Sequence, residues 1–199
     1  MIHLAVGALG GIISFFLGKG VIQMNGANLQ GENRYFSIGS GVVGALVFTC
    51  LSRAYGGGEL LSLICLSILL IASALTDIQG KLIPNAVIIV GIILGFVALG
   101  INPSLKPVEG LLGLLVLGSC FIALALITQE GLGMGDAKLI ACMGLFIGLW
   151  EGLAAVLFAT AFSGILGLGL IVIKGEGKKT TIPFAPFLLA GTMVVLLMK

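Results

Sequence analysis

The chain has 199 residues, of which 59% are hydrophobic and 9% charged, with a formal net charge of +2 and a mean hydropathy of +1.25. Soluble domains carry about 25% charged residues, so this composition excludes a water-soluble globule and describes an integral membrane protein forming one embedded unit over residues 1–199. The basic residues are scattered over short connections instead of being gathered in a patch, which excludes a nucleic-acid-binding surface.

A helix needs about 20 mostly apolar residues to cross a bilayer, with a range of roughly 17–25. Eight segments meet or approach that length: Leu4–Met24, Phe36–Ala54, Leu60–Thr76, Pro84–Ile101, Val108–Thr128, Ala137–Trp150, Gly152–Ile173 and Pro183–Met198. They predict an all-α, polytopic transmembrane helix bundle of six to eight spans, the short sixth segment being the one whose crossing length leaves open. The opening Met1-Ile2-His3 has no basic flank, and no Ala-x-Ala site follows the first apolar run, so that run reads as a retained span. His3 reads as a solvated interfacial residue. Cys50, Cys65, Cys120 and Cys142 lie inside apolar runs without a CxxC pair, which reads as small apolar fillers and not as a metal or disulfide framework. The sizeable polar stretches are Gln23–Tyr35 and Lys174–Thr181.

Glycine occurs 32 times, often at four-residue spacing, as in Gly7/Gly11, Gly91/Gly95 and Gly144/Gly148/Gly152. Lipid supplies no hydrophobic drive for helix association, so small residues that admit close backbone contact take that role. Gly144 reads as one of these packing positions, where alanine is still small.

Lys and Arg in short loops orient a membrane protein. With the N-terminus outside, the inside connections hold Lys19, Arg34, Lys81, Lys138, Lys174, Lys178 and Lys179, against Arg53, Lys106 and Lys199 outside. The bias predicts both termini outside, and places Asp77 and Asp136 together on the cytoplasmic side.

Those two are the only aspartates in the chain. Each alone has a plainer reading: Asp77 as a carboxylate in an interfacial turn, with Pro84 opening the next helix, and Asp136 as the N-cap of a helix starting at Ala137. As a pair at helix ends on one face they can do more. Two carboxyls brought close cannot both ionise easily, so one keeps a proton while the other stays charged. The charged member can then take a proton from water while the protonated one polarises a carbonyl. Gly133 and Gly135 lack a Cβ and permit a close approach beside Asp136.

These residues resemble a known family. Gly133-x-Gly135-Asp136 is similar to the signature of the GxGD intramembrane aspartyl proteases. The fuller set resembles the type IV prepilin leader peptidases over most of the chain: Asp77…Leu82-Ile83-Pro84-Asn85, then Glu130-Gly-Leu-Gly-Met-Gly-Asp136-Ala-Lys138-Leu-Ile-Ala, then Ile182-Pro183-Phe184-Ala185-Pro186-Phe187. The resemblance implies a single peptidase domain with Asp77 and Asp136 as its catalytic dyad and Gly133 and Gly135 as active-site motif residues. It implies substrate-positioning roles for Glu130, Lys138, Pro183 and Pro186. It also implies prepilin-like or preflagellin-like substrates with a short basic leader before a hydrophobic helix, cut at the cytoplasmic face of the plasma or inner membrane. Many bacterial members carry a cytoplasmic insertion with paired CxxC zinc ligands after the first span. Here that stretch is only about Gln23 to Tyr35 and has no cysteine, so no metal is expected and no cofactor for proteolysis. Methyl transfer from S-adenosylmethionine is left open. Two readings from other classes compete: a small ion-coupled transporter or proton-conducting protein using Asp77 and Asp136, and a structural membrane component.

Overall fold

The computed structural model describes residues 2–24, 32–128, 132–174 and 182–199. Among these residues the chain forms eight helices and no strand: α1 Ile2–Met24, α2 Glu32–Ala54, α3 Gly57–Gly80, α4 Asn85–Ile101, α5 Pro107–Thr128, α6 Met134–Ile147, α7 Leu149–Lys174 and α8 Ala185–Met198. A single π turn, Gly113–Leu117, interrupts α5. Five helices (α1, α2, α3, α5 and α7) are long and apolar enough to cross a membrane. The protein is therefore an all-α, multi-pass membrane bundle.

α6, with 14 residues the shortest helix alongside α8, occupies the centre. Every residue from Leu139 to Ile147 is buried. A helix that is apolar all round has neighbours all round, and α6 packs against α3, α4, α5 and α7. Protein rather than lipid surrounds it, so it is free of the length requirement that the bilayer places on its neighbours.

The close contacts around α6 are made by glycines. A Cβ on Gly91 of α4 would lie 2.8 Å from the Cys142 sulfur, and one on Gly118 of α5 would lie 2.9 Å from the Ala141 Cβ. Gly113 of α5 and Gly144 of α6 meet backbone to backbone, at the π turn. A Cβ on Gly144 would sit 2.7 Å from the carbonyl carbon and oxygen of Gly113. Alanine, though still small, does not fit at Gly144: the obstacle is main chain, which cannot swing aside as a side chain can. The wider expectation of glycine-mediated packing holds. α1 and α2 close on each other in the same way, with Gly11 against the Gly41 carbonyl and Gly44 against that of Gly10.

Helix boundaries depart from the hydropathy pattern at the sixth segment. α6 begins at Met134, three residues earlier than expected, and stops at Ile147 because Gly148 adopts φ 86°, a conformation open to glycine. α7 starts immediately afterwards, so Trp150 belongs to it and not to α6. Asp136 is not an N-cap; Gly133 holds that position and Asp136 lies in the first helical turn. Asp77 is not in a turn either; it is a buried residue of α3. Pro84 precedes α4 as its N-cap residue. The helical ends at Met24 and Glu32 shorten the expected Gln23–Tyr35 connection, whose centre, like residues 175–181, lies outside the described residues.

Alternation of the helices brings the end of α3 and the starts of α4, α6 and α8 to one end of the bundle. The other end is tied by the Tyr55 hydroxyl donating to the Leu196 carbonyl at 2.5 Å, by Lys199 on Glu151 at 2.7 Å and by Ser104 donating to Glu59 at 2.7 Å. His3, expected to be merely solvated, shares a 3.3 Å hydrogen bond with Ser52.

The packing at Gly144 yields a stability test. Gly144→Ala is expected to cost about 1–3 kcal/mol, the usual range for overfilling a packed core. Gly164→Ala, where an added Cβ meets nothing within 4 Å, is expected to cost nothing. Thermal unfolding midpoints of the detergent-solubilised variants compare the two, and equal midpoints would overturn the assignment.

Candidate active site

Three separate stretches of sequence converge at the shared end of the bundle. The first is the last turn of α3. Asp77 is only 6% exposed, and a buried carboxyl needs hydrogen-bond donors. α8 supplies them. The first N–H groups of a helix have no intrahelical acceptor, and a carboxylate is favoured at that positive end of the helix dipole. Prolines at 183 and 186 have no N–H, while the amides of Phe187 and Leu188 are already satisfied by the Phe184 carbonyl at 3.0 and 3.1 Å. That leaves the Ala185 N–H to donate to Asp77 Oδ2, at 2.9 Å.

The second stretch is the turn after α3, which is closed by Lys81. Its backbone is left-handed, with φ 49°, and its N–H donates to the Asp77 carbonyl. The turn carries Ile83 toward the start of α6, where a Cβ on Gly135 would lie 3.2 Å from the Ile83 Cβ. Gly135 therefore lets α6 come up against the segment that follows Asp77. At the same corner Lys138 donates to the Asn85 side-chain carbonyl at 3.1 Å, linking α6 to the first residue of α4.

The third stretch is the first turn of α6. The Asp136 carboxyl folds back over Gly133, so close that a Cβ there would lie 2.8 Å from Oδ2. Its Oδ1 is buried and, among the described residues, has no hydrogen-bond partner. Asp136 lies outside the five helices fit to span a membrane. Burial first, and the charge of Asp77 second, push its carboxyl up from 3.8 to about 7. Its carboxyl therefore exchanges its proton near neutral pH, while Asp77 accepts the Ala185 N–H.

Of the residues singled out from sequence, Asp77, Asp136, Gly133, Gly135 and Lys138 all meet at this end. Pro183 and Pro186 flank the donor amide instead of projecting a functional group of their own. Glu130 lies outside the described residues. Sequence reasoning missed the main-chain donor of Ala185, although two prolines three residues apart were a legible sign that few amides remain between them. Beside the site, α2, α3 and α8 enclose an apolar groove of about 480 Å³, which runs from Val47 and Met193 to Phe36, Ile78 and Pro186. Ile78 and Pro186 are the chain neighbours of Asp77 and Ala185.

Comparison with known proteins was informative. Residues 63–172 match the model of the type IV leader peptidase family. The chain is 32% identical over 190 residues to a prepilin leader peptidase/N-methyltransferase of Bacillus subtilis, covering 94% of this chain and 74% of that protein. It is 32% identical over 161 residues to the protein of the same name from Aeromonas hydrophila, covering 76% and 53%. The Pseudomonas aeruginosa protein of that name is also 32% identical, over 134 residues, covering 64% and 46%. The chain spans about half the length of the Aeromonas and Pseudomonas relatives. No solved structure matches.

The raised Asp136 carboxyl has a consequence for stability. A group whose folded value, about 7, lies above its ordinary 3.8 contributes stability that is fully present below pH 3.8 and is lost as pH rises through 7. The unfolding midpoint of the protein in detergent should fall between pH 4 and 8, and Asp136→Asn should flatten that dependence. A wild-type slope that survives Asp136→Asn would show that another group titrates in its place.

Proposed function

Since this chain belongs to the type IV leader peptidase family, we propose that it is an aspartyl endopeptidase of a cell membrane. Its substrates are prepilin-like or preflagellin-like proteins, whose short leader it removes with Asp77 and Asp136 as the catalytic pair. The observation that carries this reading is the pairing itself. One carboxyl accepts the Ala185 amide, while the other is half-buried, has a buried Oδ1 with no partner among the described residues, and lies in reach of the charge of the first.

One carboxylate takes a proton from water while the other, protonated, gives its proton toward the scissile carbonyl oxygen. The hydroxide adds to the carbonyl carbon, and collapse of the tetrahedral intermediate breaks the C–N bond as the leaving amine takes up a proton. Proton exchange activates the water, so this hydrolysis calls for no cofactor. The names of the relatives join a methyltransferase to the peptidase; only the peptidase is proposed for this chain.

The end of the bundle that holds the pair also receives, by position in the chain, seven of the ten Lys and Arg residues. That bias supports a cytoplasmic location for the site and an outside N-terminus. The apolar groove that ends beside Asp77 supports a substrate with a hydrophobic stretch next to its cleavage point.

The test is cleavage of a prepilin-like substrate by the purified protein in detergent. Acid–base groups of this kind contribute about 10²–10⁴-fold, so Asp77→Asn and Asp136→Asn should each lower turnover by at least about 100-fold while the protein stays folded. An intact substrate with the wild-type protein, or near-normal turnover by either variant, would overturn the proposal.

A further inference from the structure

We infer that the start of α8 divides the labour between the two carboxyls: the amide of Ala185 holds Asp77 as the charged partner, which takes the proton from water, and Asp136 carries the proton that goes to the carbonyl. The chemical half of this assignment rests on the peptidase reading above; the division of charge stands on the geometry.

Two carboxyls that share a buried site settle into one charged and one neutral member, and hydrogen-bond donors decide which is which. Asp77, though only 6% exposed, has the Ala185 amide aimed at it from the positive end of a 14-residue helix. Asp136 Oδ1 is buried and, among the described residues, has no partner, a position that suits a neutral carboxyl and penalises a charged one. Of the lysines beside the two aspartates, Lys81 closes the turn that follows Asp77, whereas Lys138 is engaged with Asn85 at 3.1 Å. The prolines now have a physical purpose. Having no amides of their own, Pro183 and Pro186 leave few donors to compete with the Ala185 N–H, and Pro186 presets the first turn of the helix that bears it.

The proton balance closes. Asp77 takes a proton from water as the hydroxide adds to the carbonyl carbon, and the Asp136 proton goes to the carbonyl oxygen. On collapse, Asp77 gives its proton to the departing nitrogen and Asp136 recovers one from a hydroxyl of the intermediate. Both carboxyls return to their starting states. Ala185 touches no reacting atom; it is a positioning residue acting through Asp77.

Because the chain holds only two aspartates, aspartate labelled with ¹³C at the side-chain carboxyl gives two resonances. Loss of one in Asp77→Asn assigns both. In the wild-type protein in detergent, the Asp136 resonance should titrate with a midpoint near 7, while that of Asp77 stays at the carboxylate position through the same range. Where it folds, since a following proline disfavours the αR backbone of Phe184, Ala185→Pro removes the donor at the first helical position. It should move the Asp77 midpoint, and the acid limb of the cleavage profile, up by about one pH unit, a tenfold change in the proton equilibrium. The alkaline limb should stay in place. Ala185→Gly, which keeps the N–H, should move neither limb. A neutral Asp77 beside a charged Asp136 in the wild-type spectrum overturns the inference, as does a folded Ala185→Pro protein with both limbs unmoved. The expected spectrum without any substrate cleavage supports the division of charge and defeats the peptidase reading instead.

Discussion

A carboxyl group buried in a membrane bundle has few ways to be satisfied, and the bond between Asp77 and the start of α8 is the one on which this molecule is arranged. It joins residues 108 positions apart in the chain. It accounts for the end of α3, which must deliver the side chain before the left-handed turn at Lys81 reverses the chain. It also accounts for the start of α8, where two prolines strip the corner of competing amides. The contact answers two needs together: helix N-termini leave donors unsatisfied, and a buried carboxyl lacks them.

The second constraint is steric. α6 reaches the same corner from the centre of the bundle because its neighbours present glycine to it at successive levels, Gly118 at Ala141, Gly91 at Cys142 and Gly113 at Gly144. Main chain against main chain at Gly113 and Gly144 sets how far α6 can slide or rotate, and that in turn sets where Asp136 sits. Gly135 lets its first turn close on Ile83. Packing glycines and motif glycines thus serve a single geometry: the former place the helix, and the latter bring its acid up to the turn that follows Asp77.

The proposed function rests on an imbalance between two like groups. Asp77 and Asp136 are chemically identical, yet one accepts an amide N–H and the other has a buried oxygen with no partner among the described residues. In a region of low dielectric such differences are amplified, and on the proposed reading they set which carboxyl carries the proton. That reading calls for no unusual side chain, only unequal surroundings for two ordinary ones.

Much of this was legible in the chain itself. Apolarity counts along the sequence, so the eight helices, the membrane setting and the shortness of the sixth segment could be read directly, as could the two lone aspartates and their common end. The central position of α6 could not, because hydropathy is the same whether a helix faces lipid or protein. Gly144 looked like any other packing glycine, since spacing alone does not show whether a Cβ would meet a side chain that yields or a backbone that does not. Asp136 looked like a cap because its helix starts three residues earlier than the apolar run. The amide that holds Asp77 belongs to Ala185, whose side chain suggests nothing. Main-chain donors are alike at every position, and only the tertiary packing of α3 against α8 determined which one would face a carboxyl.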